Sequence, residues 1–392
     1  MTKEEKLQIL KKVFTPTAPV KQVDFFHGRI KQLEQIVTAI NHVGQHAILY
    51  GERGVGKTSL ANIMTTSITG LFPVKVTCNR QDDFKSLWQR VFENIRYSQT
   101  TKGIGFQPQE TQEIINLGTS LSQITDPKPS DIEQMVKSLP NSVFLFVFDE
   151  FDNISNKKTR HSFADLIKSF SDNVSYTTIV IVGIADNVEE LIGSHQSLER
   201  CLKQVKMPVM SYEESSEIID KGLEKLEIKI EPSIRDKIIE FSSGFAHYIH
   251  LLCLYGSEEI VANEKNTFNS AYLSIAIQKG IENANEQLRY SYQKAIFDSQ
   301  QNSKWISVLN ACAHAKTDQF NCFKISNVLE QYNKNRQKPV ISGNIIYNIN
   351  QFCNKERGDI LKKIGKGVNT RFRFINPLMR AFVKLKMNSV NN

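Results

Sequence analysis

The 392-residue chain has no uncharged apolar run approaching the roughly 18 residues that a membrane-spanning helix needs. Its opening stretch, MTKEEKLQILKKVF, is charged throughout and lacks the apolar centre of a secretory signal. Leu7, Leu10, Val13 and Phe14 there line one face of a short packed helix. The six cysteines (Cys78, Cys201, Cys253, Cys312, Cys322 and Cys353) include no C-x-x-C pair, and the histidines include no H-E-x-x-H. A disulfide framework and a zinc site are therefore excluded; the expectation is buried thiols in a reducing cytoplasm, away from any membrane. No low-complexity tract interrupts a composition that is 40% hydrophobic and 23% charged. That is a globular chain, long enough for two or three domains. The last quarter is short of acid. From residue 301 onward 16 Lys and Arg face 4 Asp and Glu, a net +12; because the whole chain is +8, residues 1–300 carry −4. A basic C-terminal region on an acidic body suits a polyanion.

The most specific pattern is GERGVGKT, Gly51 to Thr58, which satisfies G-x-x-x-x-G-K-[ST] in full. HAILYG before it reads as a short buried strand. KTSLANIMTTSITGLF after it has helical apolar spacing at Leu60, Ile63, Met64 and Ile68. Glycines at 51, 54 and 56 let backbone N–H groups turn toward phosphate oxygens, and the helix N-terminus adds partial positive charge. Lys57 is placed for the β- and γ-phosphates and the Thr58 hydroxyl for Mg²⁺. Glu52, Arg53, Val55 and Ser59 are assigned to the same nucleotide site.

A second strand supplies acid. Val143 to Phe148 is a continuous apolar run, as in a parallel strand buried on both faces, and Asp149 and Glu150 stand at its end. Asp149 would order the metal and Glu150 would polarise a water, which favours hydrolysis. Asp152 reads as a loop or cap residue. The chain has no N-K-x-D, so adenine is expected over guanine.

With these motifs in place the sequence resembles the AAA+ ATPases, and within them the origin-recognition branch, over about residues 22–390. FFHGRIKQLEQI resembles the motif that flanks the adenine, with Phe26, Gly28 and Arg29. TTIVIVGIADNVEEL resembles the strand before sensor 1 and puts Asp186 there, with Asn187 beside it. SHQSLERCLKQVKMP resembles the arginine-finger segment; Arg200 is its candidate, with a surface ion pair as the alternative. SSGFAHYIHLL resembles the sensor-2 helix, with His247 where the family has arginine, or else as a packing histidine. FDEFDNI, VGIADNVEELIGSHQSLER and ERGDILKKIG also resemble initiator-like ATP-binding proteins of mobile elements and genomic islands. The resemblance implies an α/β P-loop core of parallel sheet flanked by helices, an all-α lid, and homo-oligomers that form through nucleotide-dependent interfaces. The altered sensors imply slow or partner-stimulated hydrolysis.

Residues 98–130 are polar and weakly periodic, a surface insertion or a mobile functional loop. After Pro208, Ser211 caps a helix with Glu213 and Glu214 in its first turn. Beyond Asn302, KWISVLNACAHA, CFKISNVLEQYNK and ISGNIIYNINQFCN read as helices and DILKKIGKGVNTRFRFI as a β-hairpin. Helices followed by a basic hairpin make a winged helix, with Lys362, Lys363, Lys366, Arg371 and Arg373 lining the wing and Asn344, Asn348 and Asn350 on the recognition helix. The expected domains are 1–21 (helical extension), 22–208 (nucleotide core), 209–300 (lid) and 301–392 (winged helix). The expected function is an ATP- and Mg²⁺-dependent ATPase switch acting on double-stranded DNA. The alternative is an ATP-holding scaffold with little turnover whose winged helix docks a protein.

Overall fold

The computed structural model describes residues 1–20, 26–95, 97–102, 110–115, 117–139, 143–174, 176–193, 198–283, 286–297, 304–318, 321–334, 336–365 and 367–390. Two compact units emerge: a sheet unit, Val20–Glu52 with Lys57–Met207, and a helical unit, Met1–Pro19, Arg53–Gly56 and Pro208–Asn392.

The chain opens with α1 (Lys3–Val13), whose capping box joins Thr2 and Glu5. The sheet unit follows with α2 (Ile30–Asn41), β1 (His46–Gly51), α3 (Lys57–Ser67), β2 (Leu71–Thr77) and α4 (Phe84–Glu93). Next come β3 (Tyr97–Lys102), β4 (Glu110–Ile115), α5 (Leu117–Ser122), α6 (Pro129–Lys137) and β5 (Val143–Asp149). It ends with α7 (Lys157–Asn173), β6 (Thr177–Ile184), α8 (Glu189–Ile192) and β7 (Leu202–Met207). Five strands form one parallel sheet in the order β2-β5-β6-β1-β7. β5 shows why helices must cover both faces. Its alternation sends Phe144, Phe146 and Phe148 to one side and Leu145 and Val147 to the other, and all are buried. On the first side Trp88 of α4 packs 5.2 Å from Phe146 and 5.5 Å from Phe148, and Phe163 of α7 lies 4.7 Å from Phe148. The polar 98–130 segment contains more order than its sequence suggested: β3 and β4 pair antiparallel from Tyr97↔Ile115 to Lys102↔Glu110, and α5 and α6 follow. Residues 103–109 and 116 of it lie outside the described residues.

The helical unit continues with α9 (Tyr212–Glu224), β8 (Lys229–Ile230), α10 (Pro232–Ser242), α11 (Ala246–Ala262), β9 (Thr267–Phe268), α12 (Ser270–Glu282) and α13 (Glu286–Ile296). It closes with α14 (Lys304–His314), α15 (Ile325–Asn333), α16 (Gly343–Gln351), β10 (Leu361–Ile364), β11 (Arg371–Phe374) and α17 (Pro377–Val390). Ser211 caps α9 as expected: its Oγ accepts from the Glu214 N–H (3.2 Å), and the Glu214 carboxylate accepts from the Ser211 N–H (2.8 Å). α1 belongs to this unit. Its Val13 and the following Phe14 are buried against Gly222 of α9, where a Cβ would stand 2.4 Å from the Phe14 ring. The Thr15 N–H donates to His250 Nδ1 at 3.2 Å. β10 and β11 form an antiparallel hairpin, and Phe323 bridges to Phe372 as a further antiparallel partner. Among the described residues no helix is long and apolar enough to cross a membrane.

Candidate nucleotide site

β1 delivers the chain at the carboxyl end of the sheet, and the glycines there have separate jobs. Gly51 (φ +151°) lies so close to β7 that a Cβ would stand 2.3 Å from the Met207 carbonyl oxygen. Gly54 and Gly56 have φ of +83° and +97°, and a Cβ on Gly56 would meet nothing within 4 Å. The first glycine is required by packing and the last keeps a space open.

Lys57 begins α3 and is buried, with its Nζ donating to the carbonyls of Gly51 (3.1 Å) and Glu52 (2.7 Å). Next to it the Thr58 hydroxyl donates to Asp149 Oδ1 at 3.4 Å. Asp149, also buried, accepts from the Glu150 N–H at 2.9 Å and pairs with Lys75 of β2 at 2.9 Å. Lys75 is steadied by Asn62 Oδ1 at 2.6 Å, one helical turn beyond Thr58 on the same face of α3. Glu150 sits in the left-handed region (φ 56°), a conformation that costs on the order of 1 kcal/mol or more in a non-glycine residue and gathers at functional sites. Its carboxylate accepts from Asn153 Nδ2 at 3.2 Å, and Asn153 also reaches the Cys78 carbonyl. Asp152 accepts from the Ile184 N–H at 2.8 Å, which ties the turn after β5 to the end of β6. The residues fit a magnesium-bound nucleotide. The Gly56 space is open, a buried ammonium rests on exchangeable carbonyls, and a hydroxyl and a carboxylate converge as hard oxygen donors.

The remaining expected residues are more dispersed. Arg29 is buried immediately before α2, with Gly28 (φ 80°) turning the chain ahead of it and Phe26 half-buried. The Ser59 hydroxyl accepts from the Val20 N–H at 3.1 Å. Beyond β6 the Asp186 N–H donates to Glu190 Oε2 (3.0 Å), and Asn187 Oδ1 accepts from the Glu190 N–H (3.0 Å), capping the short α8. Arg200 is exposed and paired with Asp172 at 3.2 Å. His247 belongs to the helical unit, where its Nδ1 meets the Pro16 carbonyl at 2.7 Å and burial holds its pKa below the usual value. On the hairpin, Lys362 and Lys363 are exposed, Lys362 lies opposite Arg373, and Arg371 pairs with Asp318 at 2.7 Å; Lys366 lies outside the described residues. The asparagines of α16 differ in setting. Asn348 is buried, Asn344 accepts from the Ile341 N–H, and Asn350 donates to the Ile346 carbonyl. Sequence reading missed Lys75, Asn62 and Asn153; the one available signal was a lysine inside the otherwise apolar β2.

A glycine loop from strand to helix, with an acid-tipped strand separated from it by one strand, defines a P-loop nucleoside triphosphatase. Residues 19–253 match the family described as Novel STAND NTPase 1, more than half of the chain, and the protein belongs to that family. The expected α/β P-loop core, a parallel sheet flanked by helices, is borne out. Similar solved structures include the ORC1 protein of Aeropyrum pernix in complex with DNA (TM-score 0.47, 10% identity, 97% of this chain and 96% of that one). Others are Cdc6p from Pyrobaculum aerophilum (0.46, 12%, 97% and 98%) and a RuvB mutant of Thermotoga maritima (0.43, 15%, 70% and 78%). A comparison with curated proteins returned no match.

Proposed function

We propose that the protein binds ATP with Mg²⁺ and hydrolyses it as a switch acting on double-stranded DNA. The observation that carries this is the meeting of the Thr58 hydroxyl and the Asp149 carboxylate at 3.4 Å, from positions 91 residues apart, beside a buried Lys57. When bound, Mg²⁺·ATP supplies the phosphoanhydride bond and the charge that oxygen donors of this kind hold. Lys57 exchanges its two loop carbonyls for phosphate oxygens. Backbone N–H groups of residues 53–58 line the phosphates. Thr58 and Asp149 would hold the metal, and Glu150, steadied by Asn153, would take the proton of the attacking water. Phe26, Gly28 and Arg29 flank the adenine, Asp186 serves as sensor 1 with Asn187 fixed beside it as a cap, and Arg200 leaves Asp172 to reach the site of a neighbouring subunit in a homo-oligomer. His247, neutral at pH 7, contributes a hydrogen bond where a guanidinium would contribute charge, so turnover is slow.

The DNA role rests on the C-terminal charge and on the hairpin, read as the wing of a winged helix. Lys362 and Arg373 lie directly opposite on the strand pair, so one stretch of phosphate backbone could meet both cations. One observation favours the protein-docking alternative. α16 contains no Lys or Arg, and it exposes Ile346 (38%) and Tyr347 (62%), with Ile341 (74%) just before it.

The test is phosphate release from ATP with and without duplex DNA, for wild type beside Lys57→Ala and Glu150→Gln. The expected result is slow turnover, raised by DNA, that both changes abolish, together with salt-dependent DNA retention lost in Lys362→Glu/Arg373→Glu. ATP binding without turnover, and no DNA retention at low salt, would instead establish the scaffold reading.

A further inference from the structure

Asp149, the carboxylate at the end of β5, already has a cation. Lys75 Nζ lies 2.9 Å from Asp149 Oδ2, while the other oxygen takes the Glu150 N–H and the Thr58 hydroxyl. Asp149 is 2% exposed, so its charge needs compensation within the protein. The lysine is aimed at it. β2 runs parallel to β5 with Lys75 opposite Val147, two positions short of the Thr77↔Asp149 pair, so its stem leans toward the strand end. Asn62 Oδ1, at 2.6 Å, fixes the ammonium from the other side. Thr58 and Asn62 are successive residues on one face of α3, so a single helix presents the metal hydroxyl and the tether of the competing cation.

We propose that Lys75 is a tethered counter-ion that competes with the divalent metal for Asp149, a positioning residue of the site. The inference rests on the Mg²⁺ reading above. An ammonium and a divalent ion a few ångströms apart on one carboxylate repel strongly. Metal therefore enters only when the ammonium swings from Asp149, a displacement that nucleotide phosphates reward by offering the lysine an anionic partner. The site so built takes up metal with nucleotide and holds bare metal poorly.

The experiment is a Mn²⁺ titration of the full chain followed by electron paramagnetic resonance, without and with ATP, for wild type, Lys75→Met and Lys75→Gln. The expected result is that Mn²⁺ alone binds either variant at least threefold more tightly than wild type, and that the extra Mn²⁺ affinity conferred by ATP shrinks in the variants. Should Lys75→Met fail to fold, Lys75→Gln keeps a hydrogen bond to Asp149 and carries the comparison. A purely structural lysine would lower the melting temperature on removal and leave the Mn²⁺ midpoint where it was; unchanged or weaker Mn²⁺ binding overturns the inference. Absence of ATP binding in wild type would count against the nucleotide reading instead, because the metal-only comparison stands without it.

Discussion

Replacing Gly222 with alanine should change sign with its surroundings. In an isolated helix such a change stabilises by about 0.5–1 kcal/mol, because glycine loses more backbone entropy on folding. In α9 the added methyl would lie 2.4 Å and 2.6 Å from two ring carbons of Phe14 and 3.0 Å from Val13 Cγ1. Favourable carbon contacts begin near 3.5 Å, so the overlap is about 1 Å and the cost is of order 1–3 kcal/mol. Phe14 is 1% exposed, and Phe14→Ala alone should cost about 3–5 kcal/mol of the helical unit's stability. In the double variant the new methyl enters the vacated space, and Gly222→Ala becomes neutral or stabilising, a coupling of about 2–3 kcal/mol between residues in contact. Trp88 lies in the sheet unit and Trp305 in the helical unit, so urea unfolding followed by fluorescence in a Trp88→Phe background isolates the relevant transition. If Gly222→Ala has the same sign and size in both backgrounds, α1 does not dock on α9 and the placement of Pro16 against His247 falls with it.

Two further outcomes follow from single sites. Gly56→Ala, strained at φ +97° by on the order of 1–3 kcal/mol, should lower the melting temperature modestly while abolishing nucleotide binding, whereas Gly51→Ala, with its Cβ also 2.3 Å from the Met207 carbonyl oxygen, should cost the fold of the sheet unit; calorimetry beside equilibrium nucleotide binding separates the two. Buried His46 accepts the Ile179 N–H on Nδ1, and burial pulls its pKa from 6.5 down to about 4. The unfolded chain binds the proton first, so stability falls as pH drops through that window, by about 3 kcal/mol once pH reaches 4. Melting curves between pH 7.5 and 4.5 should show the loss, and His46→Gln should flatten it.

What could be read from the sequence was what the chain places contiguously. The phosphate loop is one stretch of eight residues with its strand and helix attached, and Asp149–Glu150 ends a run of apolar residues that can only be a buried strand. Lys75, Asn62 and Asn153 sit on three different elements, and only the parallel pairing of β2 with β5 brings the lysine to the acid. The β3–β4 hairpin is not legible in the sequence because its strands, YSQTTK and ETQEII, carry little apolar period; backbone pairing alone marks them. α17 is illegible in the sequence for a related reason. Its apolar stripe is interrupted by Arg380 and Lys384, which bury their stems and donate to carbonyls, Arg380 to Ala313 and Ala315 and Lys384 to Glu240. The first helix was legible as an amphipathic stripe, but its partner stands some 200 residues away and nothing local announces it.

The strand order also bears on how the chain can be made. β1 and β2 emerge from a ribosome first, yet β5 and β6 insert between them and β7 closes the far side of β1. Until residue 207 has been synthesised, β1 has at least one bare edge, and until residue 177 it has two. A nascent or truncated chain ending in that interval offers open strands to any neighbour. Nucleotide, which needs the loop after β1 fixed beside the end of β5, can stabilise only chains in which β6 already joins those two strands, so its capture would mark assembly of the centre of the sheet.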